Sequence, residues 1–536
     1  MLAAFSQTLH SDGRFEESIG LIKKAMRLSP YYPAFYLQFL ARSYVLSERY
    51  EEAIATSKLL LDRSRKGEFN PLFAHLYLAE AFVGLGQEDN ARTQAKEVLK
   101  INPNFSLKSF RFLYSYKDPI HSERRIAALS RAGLPETPPL PLPDKPSIAV
   151  LPFVNMSNDP EQEYFVDGIT EEIITALSKT PKLFVIARTS SFKYKNKEVD
   201  VRTVGRELGV RYVLEGSARR SEDQLRITAQ LVDTKTGHHL WAERYDRGLK
   251  EIFALQDEIT FKVITALQVK LTEGERASMY ARGTDKFEAY AKVLKGAEYN
   301  RRCNKEANLI ARKMAEEAIA LDPGYPRGYK LLGATHIMEV WLGLTKSPQK
   351  SLAEAARLFQ KAIALYPSAP LTSGLLGIVY TMMRQHEKGI AELEKAIALN
   401  PNMADNHADF GYVLHLNGRN KEALLEIKKA IRLNPFPENM YFMYLGHAYM
   451  YEGILDESIA AYKKSLRIEP NNLFAHLRLA AVYSLLGYKD AAHTEAAEVL
   501  RINPKFSLEY LSKTIPFKNQ SHTEHLINAL RKAGLK

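Results

Sequence analysis

The chain has 536 residues, which is too long for a single hydrophobic core and predicts several domains. No stretch approaches the length of uninterrupted apolar sequence that a membrane-spanning helix needs, and the N-terminus has neither the basic segment nor the apolar run of a signal peptide. The single cysteine, Cys303, excludes an internal disulfide and any cysteine cage for a metal ion. We therefore expect a cytoplasmic protein with no membrane partner.

The net charge of +12 raises the question of a nucleic-acid partner. The basic surplus is spread over the two ends of the chain, while the central part is balanced, and no run of five like charges occurs. A solvated helical surface explains this distribution better than a footprint for nucleic acid, so we expect no nucleic-acid partner.

The first predicted segment, residues 1–134, is helical and recurs at the other end of the chain. LFAHLYLAEAFVGLG from Leu72 is matched 401 residues later by LFAHLRLAAVYSLLG from Leu473, and RAGL at 131–134 is matched by KAGL at 532–535. Both ends therefore carry one kind of helical repeat with the same closing unit. A closing unit of this kind caps a stack of helical hairpins.

Residues 135–146, PETPPLPLPDKP, form the clearest boundary in the sequence. Their prolines forbid a helix and favour the extended polyproline II conformation. We expect a semi-rigid linker here.

The central segment, residues 147–272, changes from helical periodicity to alternating helices and strands. Its predicted order is β-α-β-α-β-β-β-α, an α/β sandwich, with a hairpin turn at 234–237. Gly209 is expected to end a helix in a left-handed conformation. The predicted strands are SIAVLPF from Ser147, LFVIAR at 183–188, VRYVLEGSARR at 210–220, QLRITAQLVD at 224–233 and HHLWAERYD at 238–246, and the predicted helices cover about 160–179, 199–208 and 249–271.

An acidic cluster follows the first of these strands and has two interpretations. Carboxylates at a strand end can hold a metal or act as general acids. The alternative is the start of a helix: Asp159 is placed as its N-cap, Pro160 as its first residue and Gln162 as the partner in a capping box. We favour the helix start.

The helix predicted after Asp159 should have two different faces. Phe165, Ile169, Ile173 and Leu177 recur every four residues and predict the buried stripe. The acids Glu163, Asp167 and Glu171 recur at the same interval, and we expect them on a solvated face. Gly168 is a candidate break that would divide the segment into two shorter helices.

Residues 273–536 predict a second helical array. Segments ending in ALDP, ALYP, ALNP, RLNP, RIEP and RINP close at prolines spaced 34 or 35 residues apart after a first step of 44, and this period resembles the tetratricopeptide (TPR) repeat. The long first step predicts an insertion around 343–350 between the two helices of one unit. Gly411 and Ala423 are expected where the two helices of a pair approach closely, because only small residues fit there. Pro435 ends the second helix of that unit.

The central strings SIAVLPF, DPEQEYFVDGITEEIITALSK, FVIARTSSFKYKNKEVDVRTVGRELGVRYVLEGSARR and RITAQLVDTKTGHHLWAERYDR, followed by these repeats, resemble a known family. They are similar to the TolB-N-terminal-like domain of bacterial proteins known as adenylate cyclases with TPR repeats. In that family the domain usually follows a class III cyclase domain or a CadC/ToxR-type winged helix. Neither the Asp-Ile-x-Gly-Phe/Tyr metal motif of the cyclase nor a winged helix is found, so the resemblance implies a non-catalytic regulatory or scaffolding part.

Other residues that could carry chemistry have simpler explanations. Cys303 lacks a partnered base. His522 and His525 stand one helical turn apart and could bind a metal, but the first array has His121 and Arg124 at the matching positions, which favours a cap surface.

Trp241 and Tyr245 are predicted to lie on one face of a strand. They are interpreted as core residues, and an aromatic platform for a ligand is the alternative. No P-loop, dinucleotide-binding or nucleophile-elbow motif occurs. We therefore predict no catalytic residue, cofactor or metal site.

The concave groove of the second array is the predicted binding surface. In TPR units, certain positions of each first helix line this groove, and here they are largely apolar and rich in methionine, which suits an apolar or amphipathic peptide. The alternative is that these residues contact a neighbouring repeat, or the α/β domain folded back. The predicted groove residues are Leu371, Ile378, Met382, Met383, Tyr412, His415, Met440, Met443, His447, Met450 and Tyr451.

These observations favour a non-enzymatic interaction protein in bacterial signalling that binds a protein partner. One alternative is the regulatory portion of a class III adenylate cyclase, which converts ATP to cyclic AMP. Another is a CadC/ToxR-like transcription regulator without its DNA-binding domain.

Overall fold

The protein is represented by a computed structural model that divides into two compact units, Met1–Leu140 and Pro141–Lys536. The first unit is helical, and the second combines a central sheet domain with a second helical array. The predicted fold class, helical solenoids flanking an α/β domain, is confirmed. The structure describes residues 2–111, 116–157, 159–221, 223–269, 284, 286–367 and 369–536.

The first unit is a stack of helical hairpins closed by a short cap. In α2 the residues Ile19, Ile22 and Ala25, three apart, are buried and form the stripe that packs on the next helix. The start of the predicted linker is held by this unit, because Leu107 N donates to Pro135 O at 2.8 Å. Its helices are α1 (Leu2–Ser11), α2 (Phe15–Leu28), α3 (Phe35–Leu46), α4 (Tyr50–Arg65), α5 (Leu72–Gly84), α6 (Glu88–Ile101), α7 (Leu107–Arg111) and α8 (Ile120–Arg131).

The central domain has a mixed sheet in the order β3-β1-β4-β5-β6, and β2 pairs with β4. The strands β1, β3 and β4 are parallel, whereas β4, β5 and β6 form an antiparallel meander. The elements are β1 (Ser147–Val150), β2 (Val154–Asn155), α9 (Glu163–Ser178), β3 (Phe184–Val185), α10 (Arg188–Phe192), α11 (Val201–Leu208), β4 (Tyr212–Ser221), β5 (Gln224–Asp233), β6 (His239–Gly248) and α12 (Ile252–Ala266), with 3-10 turns at Pro160–Gln162 and Leu249–Glu251.

Most of the predicted elements of this domain are present, but β2 and α10 were not predicted, the first strand ends at Val150 and not at Phe153, and two further predictions differ. Gly168 does not break α9, which is continuous; a Cβ at this position would lie 2.4 Å from Leu294 Cδ1, so the glycine leaves room for the side chain of Leu294. The strand predicted at 183–188 is only Phe184–Val185, because α10 begins at Arg188. Gly209 has the expected left-handed φ of 62° at the end of α11.

The second array consists of seven helical hairpins that extend to the end of the chain within the described residues. The extra residues of the long unit do not all lie between its helices as predicted: residues 342–347 connect them, and the two helices themselves are longer, with 16 and 18 residues against 13 and 14 in the unit of Ala404–Leu433. The predicted boundary at 272/273 lies outside the described residues. The helices are α13 (Phe287–Asn300), α14 (Lys305–Leu321), α15 (Pro326–Trp341), α16 (Pro348–Leu365), α17 (Pro370–Met382), α18 (His386–Leu399), α19 (Ala404–Leu416), α20 (Asn420–Leu433), α21 (Asn439–Tyr451), α22 (Leu455–Ile468), α23 (Leu473–Leu485), α24 (Lys489–Ile502), α25 (Leu508–Thr514) and α26 (Gln520–Lys532).

The strands β1 and β3 are buried on both faces, and repeat helices cover part of each face. Because successive side chains of a strand point to opposite faces, Ile148 and Val150 of β1 pack against α9, α12 and Leu294 of α13, whereas Ala149 faces the other way. That second face is completed by residues of α11 and of the repeat helices α19 to α21. The core of the α/β domain therefore includes residues of the second array.

Candidate partner-binding groove

The predicted groove residues lie along the first helices α17, α19 and α21, and they differ in accessibility. Met443 and Met450 belong to the apolar core that α21 shares with α23 and the closing helices. They therefore contact neighbouring repeats, which was one of the two interpretations of the sequence. Ile378, His415, Met443, His447 and Met450 are buried, whereas Leu371, Met382, Met383, Tyr412, Met440 and Tyr451 are partly buried.

The polar members of this set form an aromatic cluster. The rings of His415 and His447 stack with centroids 5.4 Å apart, and His415 also meets the edge of Tyr451 at 5.1 Å. Tyr412 stacks on Tyr444 at 4.4 Å. Four residues of this cluster, Tyr412, His415, His447 and Tyr451, were predicted as groove positions, and the structure brings them together.

A segment of the same chain lies across this cluster, and we call it the C-terminal strap (Lys513–Lys518). Its Phe517 is 3% exposed and its ring lies 5.4 Å from both His415 and Tyr451. Arg384, at the end of α17, donates to the carbonyls of Lys513, Ile515 and Phe517 at 3.0–3.4 Å. The strap is therefore held through hydrogen bonds to its main-chain carbonyls, as a bound peptide can be.

An open cavity of about 660 Å³ adjoins the strap. Arg384 to Lys388, at the turn between α17 and α18, line one side of the cavity, and Phe517 and Lys518 line the other. The residues that line the cavity are polar or charged except for Phe517.

The α/β domain is attached to the second array through the turns that end its repeats. Asn400 Nδ2 donates to Ser178 Oγ at 2.8 Å, and Asn402 Nδ2 donates to the carbonyls of Ser178 and Thr180 at 2.9 and 3.1 Å. The next turn repeats the arrangement, since Ser190 Oγ donates to Asn434 Oδ1 at 2.5 Å. The asparagine side chains of adjacent repeat ends thus recognise one domain.

The sequence contained a signal for this interface that pattern analysis missed. Asparagine precedes proline in the endings ALNP and RLNP, whereas the neighbouring endings ALYP and RIEP have tyrosine and glutamate there. Asn400, Asn402 and Asn434 are each at most 3% exposed. A buried amide must find partners, so Asn400 and Asn434 in successive turns fit a contact, whereas Asn503 of RINP is partly exposed.

The acidic face of α9 is not the solvated surface that the sequence predicted. Lys195 Nζ contacts Asp167 at 2.6 Å and Glu163 at 2.8 Å, and Arg188 Nε lies 3.0 Å from Glu171. The reason is tertiary: basic side chains from α10, its flanking loop and the second array converge on the helix. The N-cap prediction is confirmed, because Asp159 Oδ1 accepts from Glu161 N at 2.9 Å.

Two further ion pairs join α9 to the second array. Arg301 reaches Glu171 at 3.4 Å, and Arg327 of α15 pairs with Glu172. Burial opposes the ionisation of Glu171, but Arg301 and Arg188 outweigh it and lower its pKa. The carboxylates of α9 therefore act as anchors for arginines.

Candidate ligands for a metal are few in the described parts of the chain, where no group of three or more His, Cys, Asp or Glu side chains is arranged around one point. Cys303 is exposed in the turn between α13 and α14. None of the helices that the structure describes is long and apolar enough to cross a membrane.

Comparison with family models identifies the repeats and the central domain. A model of the TPR repeat matches residues 446–487, and a tetratricopeptide repeat model matches residues 73–104. The second domain of HilA/YgeH-like transcriptional regulators matches residues 144–262. The resemblance of the same segment to TolB stays a prediction from the sequence.

Among proteins of known annotation, putative adenylate cyclase 3 of Rhizobium meliloti (strain 1021) is 46% identical over 275 residues. The match covers 51% of this chain and 45% of that protein, so the chain spans less than half of its length. Among solved structures, the TPR protein TTC0263 of Thermus thermophilus is 22% identical, with 37% of this chain and 99% of that chain covered and a TM-score of 0.31. The YrrB protein, described as having an unusual peptide-binding site, is 20% identical, with 37% and 97% covered and a TM-score of 0.27. The chain thus contains TPR repeats in both arrays, with a domain similar to the second domain of HilA/YgeH-like regulators between them.

Proposed function

We propose that this chain is a non-catalytic regulatory protein that binds a protein partner in the groove of its second array. The observation that supports this proposal is the row of partly accessible apolar side chains on successive first helices, Leu371 and Met382 on α17, Tyr412 on α19 and Met440 on α21. TPR arrays bind extended or helical peptides through such rows. No cofactor takes part in this function.

Affinity capture with the full chain tests the proposal. Leu371→Glu and Met440→Glu place a charge in the groove, and both positions lie in the first turn of a helix, where glutamate suits the helix dipole and folding is retained. We expect both variants to lose captured partners that the unchanged chain retains.

Leu425→Glu is the matched control, because Leu425 is 69% exposed on the second helix α20. We expect this variant to capture the same proteins as the unchanged chain. Capture that is unaffected by Leu371→Glu and Met440→Glu would show that the groove is not the binding surface.

A second candidate function is supported by the relative named putative adenylate cyclase 3. In this case the chain is the regulatory portion of a class III cyclase, and its arrays control a catalytic domain that the matched region does not include. We expect the purified chain with ATP and Mn²⁺ to produce no cyclic AMP, as measured by chromatography. Sustained turnover would contradict both the regulatory assignment and the non-enzymatic proposal.

A transcription regulator is the third candidate, and the match to HilA/YgeH-like regulators favours it. That match concerns the second domain of those proteins. Protein partner binding by the groove is compatible with this role. In this case we expect salt-dependent binding to duplex DNA, measured by fluorescence anisotropy at low and high salt, only when a winged-helix domain is joined to the chain.

A further inference from the structure

The second array contains a buried arginine without a carboxylate. Arg478 on α23 is 8% exposed, and its Nη1 atom has no hydrogen-bond partner. No carboxylate in the described parts of the chain forms an ion pair with it. A buried cation normally has a paired anion, because removing a charge from water is costly.

Arg478 interacts electrostatically with His415, His447 and Tyr462, and each of these residues has a buried polar atom without a partner. Neither ring nitrogen of His447 has a hydrogen-bond partner within the described chain, and the same holds for His415 Nε2 and Tyr462 Oη. His447 and His415 stack on each other, and the Tyr462 ring lies 5.8 Å from His447. A buried polar atom left unpaired destabilises the fold, so a group of them at one place indicates a missing partner.

The first array shows how the same fold satisfies a buried arginine. Arg125 donates to both oxygens of Glu80 at 2.7 Å, and both side chains are at most 2% exposed. By the 401-residue offset, Glu80 corresponds to Ala481, and Tyr77 corresponds to Arg478. The second array has thus gained a guanidinium on this helix, and it has alanine where the first array has its carboxylate.

The local charge favours one kind of anion. Burial lowers the pKa of His415 to about 3 and lowers that of His447 well below its usual value, so both rings are neutral at pH 7. Arg478 then supplies a single positive charge. A carboxylate balances it, whereas a dianionic phosphate would leave a buried negative charge.

We propose that the floor of the second groove is a recognition site for one carboxylate, supplied by an aspartate or glutamate in an otherwise apolar segment of the protein partner. Arg478 donates to the carboxylate, His447 adds a ring N–H, and the partly accessible Tyr412 contacts the flanking apolar side chains. This inference rests on the proposed function and names the chemistry of the partner.

Calorimetry with the full chain tests the site. The probe is an amidated peptide with one glutamate among leucines and a phenylalanine, with twins that carry glutamine or phosphoserine in its place. We expect the glutamate peptide to bind the unchanged chain, to bind Arg478→Met at least tenfold more weakly, and to be preferred over both twins.

The control variant is Arg467→Met, because Arg467 is exposed on α22. It should bind as the unchanged chain does. Equal binding of the glutamate and glutamine peptides, no binding of the glutamate peptide, equal binding by Arg478→Met, or preference for phosphoserine would each overturn the inference.

A thermal melt provides a second readout that also reports folding. Acetate should raise the melting temperature of the unchanged chain saturably, relative to chloride at equal ionic strength, and should not do so for Arg478→Met. Partner capture that survives Arg478→Met would remove the inference and leave the proposed function intact. Carboxylate binding without partner capture would support the carboxylate site and contradict the proposed function.

Discussion

At the scale of single residues, the buried amides of the repeat ends connect the α/β domain to the second array. Asn402 is the clearest case, since its Nδ2 atom donates to two main-chain carbonyls. The carbonyls of Ser178 and Thr180 at the end of α9 have this amide as a partner. The identity of the side chain therefore matters more than its size.

Asn402→Asp is expected to destabilise the second unit by about 2–4 kcal/mol. The substitution replaces the donor with a carboxylate oxygen that faces two carbonyl oxygens, and the site is buried. Asn471 follows Pro470 as Asn402 follows Pro401, but it is exposed and accepts from Arg501, so Asn471→Asp is the control and should be near neutral. Urea unfolding measures both, and equal losses would contradict the explanation.

Lys330→Met is expected to change the pH dependence of stability. Burial and then Arg327 lower the pKa of Lys330 from 10.5 to about 8, so between these pH values the unfolded chain binds a proton that the folded chain has released. The free energy of unfolding should thus rise from pH 8 to pH 10.5, and this contribution should be missing in the variant. At pH 7 the variant should be about 2 kcal/mol more stable.

The control for this measurement is Lys313→Met, since the side chain of Lys313 is 73% exposed on α14. Its unfolding free energy should follow that of the unchanged chain at every pH. A Lys330→Met variant with an unaltered pH profile would show that this ammonium carries no penalty.

Single residues also show where sequence analysis succeeded and where it could not. The cap at Asp159 was predictable because capping depends on neighbours two or three positions away. The ion pairs of Glu171 were not, because Arg301 is 130 residues distant and its approach depends on tertiary packing. No local sequence pattern marks Arg478 as a binding residue. It is noticeable only because the matching position of the first array is Tyr77.

At the scale of elements, small residues set the distance between paired helices. A Cβ on Gly411 would lie 2.4 Å from Ile427 Cγ1 and 3.0 Å from the carbonyl oxygen of Ala423. The sequence interpretation of Gly411 and Ala423 as a close approach is consistent with these distances. The helix α19 therefore contacts α20 through its backbone.

Gly411→Ala is expected to destabilise the second unit by about 1–3 kcal/mol, because the added methyl forces the two helices apart. Gly20→Ala is the matched helical control: nothing lies within 4 Å of its Cβ position in α2, and the substitution should stabilise its unit by about 0.5–1 kcal/mol. Thermal melts compare the variants. A Gly411→Ala variant as stable as the unchanged chain would show that the helices can separate without cost.

Helices and hairpins were largely predictable, since their periods of 3.6 and 2 residues are local. The strand predicted at 183–188 was too long because a run of apolar residues does not show where the backbone turns into α10. The groove residues were placed by repeat position alone. Repeat position does not show that Met443 and Met450 are covered by the next repeat.

At the scale of the whole molecule, the second array and the α/β domain share one core. Phe184 and Ile186 of the sheet belong to the same apolar cluster as Ala404, Leu433 and Tyr441 of the repeats. The α/β domain therefore contributes side chains to the hydrophobic core of the second array. Because these contacts join segments far apart in sequence, no local pattern could predict them.

A truncated chain of residues 286–536 is expected to be less stable than the unit 141–536, because it exposes the apolar surface that the sheet covers in the longer unit. Size-exclusion chromatography and thermal melts compare the two. Equal stability and equal monomer content would show that the shared core contributes little.

The shared core also affects how the chain folds during synthesis. Ala187 N donates to Leu433 O, and 246 residues separate the two in the chain. Ribosomes add about 5–20 residues per second, so one side of the sheet stays uncovered for roughly 10–50 s after its strands emerge. During that interval the nascent chain displays Phe184 and Ile186 to the solvent, and we expect co-translational chaperones to associate with it until α21 has been made.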